Sequence, residues 1–127
     1  MKSFVLAAAG LLALAGTAHA QRFSDISGAK LGDICTSKSS ASLEACDAYL
    51  DGISDAISFY QRLMPQDGSK GKLPDYVCVP GTTTGPQLRQ KYVAWLREHS
   101  EAQKQRAAQA AMRALNDSFL CESEQKK

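Results

Sequence analysis

With 127 residues, the chain has room for one domain and one modest core. Its 15 Lys and Arg against 13 Asp and Glu lie close to balance, which argues against a dedicated nucleic-acid or polyanion binder. Four cysteines and two histidines limit the available chemistry further.

The first twenty residues read as a secretory signal. Lys2 supplies a positive start, Phe4 to Ala15 an apolar run too short to span a bilayer, and Ala18-His19-Ala20 a small-x-small cleavage site. Residues 21–121 then form one domain and residues 122–127 a polar tail. Taking twenty from 127 leaves 107 residues in the exported chain, with no apolar run long enough for membrane insertion.

Ser27 to Cys35 fits a short helix with Leu31, Ile34 and Cys35 inward, weakened by Gly28 and Gly32. Thr36 to Ser42 is a polar linker, and Ser42 is a good N-cap for a long second helix. From Leu43 to Met64 the apolar residues Leu43, Cys46, Leu50, Ile53, Ile57, Tyr60 and Met64 recur three and four apart, the signature of one helical face. Glu44, Asp47, Asp51 and Asp55 mark a second, acidic face. Gly52 lies mid-helix at a cost of about 1 kcal/mol relative to alanine, so another element is expected to pack close to it.

Pro65 ends that helix, and Gln66 to Tyr76 carries the composition of a loop. Val77 to Gly81 is a short extended piece tied down by Cys78. Thr84 with Gln87 and Pro86 begins a third helix, with Leu88, Tyr92, Trp95 and Leu96 inward, Val93 on the flank, and Arg89, Lys91 and Arg97 toward water. It runs to Glu98 or His99. Ser100 with Gln103 repeats the capping box, predicting a fourth, alanine-rich helix to Leu120 with Ala107, Ala108, Ala111, Leu115 and Phe119 buried and Lys104, Arg106 and Arg113 outside. The expected fold is all-α: a small disulfide-stapled bundle of about four helices.

Cys35, Cys46, Cys78 and Cys121 all lie in the exported part, and an even count in a small secreted chain reads as two disulfides. No two are two to four residues apart and only one histidine survives cleavage, which disfavours zinc. Of three possible pairings, Cys46–Cys78 with Cys35–Cys121 is preferred, because Cys78 follows the loop returning from the long helix while Cys35 and Cys121 bracket the domain.

Catalytic machinery is sparse. A nucleophile–histidine hydrolase would have to use His99, whose place at a helix end beside Glu98 and Glu101 better fits a solvated cap residue. No G-x-S-x-G or phosphate-binding glycine motif occurs. Asp47, Asp51 and Asp55 could act as acid and base or hold a cation, but such a row is more often a wet face. The expectation is a protein that is not an enzyme and has no cofactor or metal.

The ordered set Cys46-x-x-Tyr49-x-x-Gly52-x-x-Asp55-Ala56, Val77-Cys78-Val79-Pro80-Gly81-Thr82, Gln87-Leu88, Trp95-Leu96, His99, Glu101, Ala114-Leu115 and Phe119-x-Cys121 resembles the Rap/Tai family of periplasmic immunity proteins. These protect bacteria against amidase toxins of the type VI secretion system. The resemblance spans about Gly28 to Cys121 and implies a helical, disulfide-stapled, often dimeric periplasmic protein that binds a peptidoglycan amidase and plugs its active-site cleft. Two segments are candidates for the plug: the turn from Glu98 to Gln103, with Glu98, His99, Ser100 and Glu101, and the loop with Gln66, Asp67, Lys70, Lys72, Asp75 and Tyr76. A small periplasmic stress chaperone or envelope accessory protein is the alternative. An enzyme built on His99 and the aspartate row is the third reading.

Overall fold

The computed structural model describes residues 25–63 and 77–121. The expected signal, the loop from Gln66 to Tyr76 with its six candidate partner residues, the Met64–Pro65 helix end and the tail lie outside these residues. Four α-helices and one 3-10 helix make up the described part, with no strand beyond two isolated bridges. They are α1 (Gly28–Cys35), α2 (Ser40–Leu63), α3 (Gly85–Glu98), the 3-10 helix η1 (Ser100–Lys104) and α4 (Ala107–Ser118). The fold is therefore all-α and stapled by two disulfides.

Each helix buries the stripe that its apolar spacing dictates. Leu31 and Cys35 of α1, Cys46, Leu50 and Ile57 of α2, Leu88, Tyr92, Trp95 and Leu96 of α3, and Leu115 of α4 meet in one core. Ala107, Ala110, Ala111 and Ala114 are fully buried too. Their small side chains let α4 lie close against its neighbours, with nearly all its apolar face used inside the protomer. Ala108 and Phe119, expected inside, are half-buried instead.

Local signals set most of the ends. The Ser27 hydroxyl accepts from the Lys30 N–H at 3.1 Å and starts α1. Gln87 Oε1 accepts from the Thr84 N–H at 2.8 Å, with Pro86 in the first turn of α3. The start of α2 departs from expectation. It begins at Ser40, so Ser42 lies inside the helix, and the Leu43 N–H already donates to the Ser39 carbonyl at 3.1 Å. Ser39, Ser40 and Ser42 lie just before the apolar stripe, and the earlier start adds this helical hydrogen bond.

Two readings of α2 are corrected by its surroundings. Gly52 is exposed and an added Cβ there would meet nothing within 4 Å, so no element among the described residues packs against it. The apolar stripe also outruns the bundle: its Tyr60 is half exposed, and the neighbouring Phe59 and Leu63, off the stripe, are each 64% exposed. The close approaches occur at other glycines. A Cβ on Gly28 would collide with the backbone carbonyl oxygen of Ala102, and one on Gly32 would lie 2.7 Å from Leu96 Cδ2.

The cysteines pair as Cys35–Cys46 and Cys78–Cys121, not as Cys46–Cys78 and Cys35–Cys121. The short linker after α1 turns the chain so that the last residue of α1 faces the second turn of α2, with Cα atoms 5.1 Å apart. Cys78 is meanwhile drawn to the C-terminus by backbone pairing. Its N–H donates to the Phe119 carbonyl at 2.7 Å, beside an antiparallel bridge between Val77 and Leu120. With its amide oriented to suit, Gln61 of α2 spans Val77, donating to its carbonyl at 3.1 Å and accepting from its N–H at 2.8 Å. Expecting the outermost cysteines to bracket the domain weighed position along the chain, whereas pairing follows proximity in space.

Arg89, expected in water, is also turned inward. Its Nη1 donates to Asp47 Oδ2 at 3.0 Å and to the Leu43 carbonyl at 3.2 Å, and both side chains are about four-fifths shielded. Asp47 thereby leaves the wet row and joins α2 to α3, while Glu44, Asp51 and Asp55 stay exposed. Asp47 Oδ1 is equally near Arg89 but lies off the N–H direction, and so remains without a hydrogen bond.

Candidate functional site: the corner between α3 and α4

The sequence around Ser100 predicts a helix start, but the chain makes a single 3-10 stretch and then breaks. Ser100 provides no side-chain cap, and Gln105 and Arg106 are extended. Tertiary pairing explains the break. The Gly28 N–H donates to the Gln105 carbonyl at 2.8 Å and the Ala107 N–H to the Ile26 carbonyl at 2.9 Å, beside a bridge between Ser27 and Arg106. These bonds pin the end of η1 to the start of α1. Fully buried Ala102 plugs the turn into the core, and its carbonyl rests on the Gly28 backbone.

Tyr92 completes the clamp. Its ring is fully buried, and its hydroxyl donates to the Gly28 carbonyl at 2.9 Å. Burial first, and the nearby Tyr49 phenol second, hold its pKa well above the ordinary 10.0. The neutral phenol is thus the form this core accepts.

Above this clamp sits a polar–aromatic cluster. Trp95 and His99, four apart on the last turn of α3, stack with centroids 4.1 Å apart and planes at 12°. His99 Nδ1 lies 2.8 Å from the Trp95 carbonyl oxygen. A carbonyl only accepts, so Nδ1 carries a proton in this contact and Nε2 is the ring nitrogen left for another partner. Trp95 Nε1 donates to Asp117 Oδ2 at 2.7 Å. Arg113 places its guanidinium carbon 5.3 Å from the Trp95 ring centroid and reaches Glu101 Oε1 at 3.5 Å.

The structure therefore brings Glu98, His99, Ser100 and Glu101 together on one turn, with His99 half-buried and the other three exposed. It adds Trp95, Arg113 and Asp117, which sequence reasoning did not assign to the site. Arg113 was expected in water and instead leans on Trp95. Their one legible signal is spacing, since Trp95 and His99, and likewise Arg113 and Asp117, are four residues apart on a helix.

Among the described residues no serine or cysteine side chain hydrogen-bonds to the His99 ring, and every cysteine is oxidised. No group of three His, Cys, Asp or Glu side chains there is arranged to hold a metal ion. The neighbouring cleft between α1 and α3, lined by Ala29, Gly32, Val93 and Leu96 with Asp33 and Arg97, measures about 180 Å³. That is below the roughly 300 Å³ at which small-molecule sites begin.

Fold and corner together define a small, doubly stapled helical body that presents a pinned turn. Over residues 27–121 the chain matches the family described as Rap1a immunity proteins, and it belongs to that family. No curated protein and no solved structure matches it. Membership in an immunity family makes a toxin the partner class, and two disulfides suit an oxidising compartment. Among the described residues no helix is long and apolar enough to cross a membrane.

Proposed function

We propose that this is a periplasmic immunity protein, exported by a signal cleaved after Ala20, that binds a peptidoglycan amidase of the type VI secretion system and blocks its active-site cleft. The observation that carries the reading is the family match over residues 27–121, which includes the whole pinned turn. The turn suits obstruction because its backbone is fixed before the partner arrives. Ala102, Gly28, Gln105 and Tyr92 hold it from below, so little conformational entropy remains to be lost on binding. His99 Nε2 and the Glu101 and Arg113 side chains then offer an imidazole nitrogen, an anion and a cation on one corner of the surface.

If two copies associate, the alanine face of α4 is not the seam, because Ala107, Ala110, Ala111 and Ala114 are buried within the protomer. Among the described residues, Phe59, Tyr60 and Leu63 at the end of α2, with Met112 on α4, are the exposed large apolar side chains, and the three on α2 lie together for such contact.

The test begins with the hydrolase encoded beside this gene. Co-expression in the periplasm is expected to relieve that hydrolase's toxicity, and the purified pair to form a tight complex. His99→Ala and Glu101→Arg should each weaken binding at least about tenfold while leaving the unfolding curve in place. Relief by neither the wild-type chain nor any variant, or affinity unchanged in both variants, would refute the assignment of toxin or turn respectively.

A further inference from the structure

The two disulfides occupy different surroundings. Cys46 is fully buried and Cys35 is 4% exposed, both within the core shared by α1 and α2. Cys78 is exposed, and only its partner Cys121 is shielded, at 9%. Thiol–disulfide exchange requires a thiolate to reach one sulfur in line with the bond, so access selects which bond reacts and at which end. The outer bond also joins segments at the edge of the fold. Apart from it, Val77 to Val79 are attached to the C-terminal segment by the Cys78 N–H to Phe119 carbonyl bond and the bridge between Val77 and Leu120. The core lies in α1 to α4 and η1, and of the outer segments only Val77 and Cys121 are buried, with Val79 and Phe119 partly buried against it.

We propose that Cys78–Cys121 is a thiol–disulfide exchange site, open to a small dithiol or a dithiol oxidoreductase while the bundle stays folded, and that Cys35–Cys46 is a permanent staple. The attacking thiolate bonds to Cys78 Sγ and the Cys78–Cys121 bond breaks, with Cys121 leaving as a thiolate that takes a proton from water. The second thiol of the dithiol, deprotonated, attacks the mixed disulfide and releases Cys78 as a thiolate, which is protonated in turn. The dithiol is oxidised to its disulfide and the protein bond is reduced to two thiols. The result is a protein whose C-terminal segment is held to Val77 to Val79 by backbone pairing without the covalent bond, and whose helices remain packed.

The experiment incubates the fully oxidised protein with dithiothreitol under native conditions, quenches with N-ethylmaleimide at intervals, and locates the label by peptide mass spectrometry. Cys78 and Cys121 are expected to be labelled at least about tenfold faster than Cys35 and Cys46, since access governs the rate. Far-UV circular dichroism should stay unchanged through that phase, while hydrogen exchange at the Cys78 amide accelerates. In the Cys78→Ala/Cys121→Ala variant the helix signal should persist and the remaining bond should resist dithiothreitol until denaturant is added. Equal rates, prior labelling of Cys35 and Cys46, no reduction of the outer bond, or loss of helix signal with the first reduction would each overturn the proposal.

Discussion

Gly52 and Gly28 allow the same substitution to be made with opposite expected signs. At Gly52 an alanine Cβ points into open space in the middle of α2, so only backbone entropy and helix propensity change. Gly52→Ala should stabilise the protein by about 0.5–1 kcal/mol. At Gly28 the Cβ would collide with the Ala102 carbonyl oxygen and sit 3.2 Å from Ala110 Cβ. Neither neighbour can swing away: the Ala102 carbonyl also accepts the Gln105 N–H at 3.1 Å, and Ala110 lies within α4. Overpacking against fixed backbone costs about 1–3 kcal/mol. The displacement also strains the Gly28 bonds to Gln105 and Tyr92, each worth about 1 kcal/mol, so Gly28→Ala should destabilise by about 2–4 kcal/mol. In a domain of this size about 1 kcal/mol moves Tm by roughly 4–8 °C. Thermal and urea unfolding with both disulfides intact would measure the pair. A Gly28→Ala protein within about 0.5 kcal/mol of wild type, or a clearly destabilised Gly52→Ala protein, would refute the reasoning from space at the added Cβ.

Further outcomes concern the buried polar groups. Because the Tyr92 pKa is raised in the folded state, its contribution to stability is fully present below the unfolded tyrosine value of 10.0 and is lost as pH rises beyond it, where the unfolded chain releases a proton that the folded one retains. Urea unfolding from pH 9 to 12 should therefore fall more steeply for wild type than for Tyr92→Phe, and parallel curves would contradict the burial argument. At neutral pH Tyr92→Phe should cost about 1 kcal/mol by removing the buried hydrogen bond to the Gly28 carbonyl. Arg89→Ala should cost about 1–3 kcal/mol, because it strips a half-buried Asp47 and the Leu43 carbonyl of one shared donor. A double-mutant cycle with Asp47→Ala should show coupling, and strict additivity would mean that the pair is not an energetic unit.

Much of this architecture was legible in the residues. The apolar stripes named α1, α2 and α3 and their inward residues, because a helical repeat of 3.6 leaves a direct trace in sequence. Thr84, Gln87 and Pro86 marked the start of α3 for an equally local reason. The candidate turn was visible as a break beside His99, and the family resemblance drew attention to it. Arg113 and Asp117 were not visible as its members, because their partners Glu101 and Trp95 lie on other elements and no local pattern records that meeting.

What the sequence by itself determined is the helical class, an even set of oxidisable cysteines and the inward face of most helices, all matters of short-range spacing and composition. Tertiary structure alone decided the disulfide partners, which glycines needed to lack a side chain, the inward turn of Arg89, and the conversion of a predicted helix start at Ser100 into a pinned 3-10 turn. Each of these depends on which distant backbone arrives beside a residue. At Gly28 and Gln105 that arrival outweighed the local capping signal, since buried backbone groups must find partners wherever the fold supplies them.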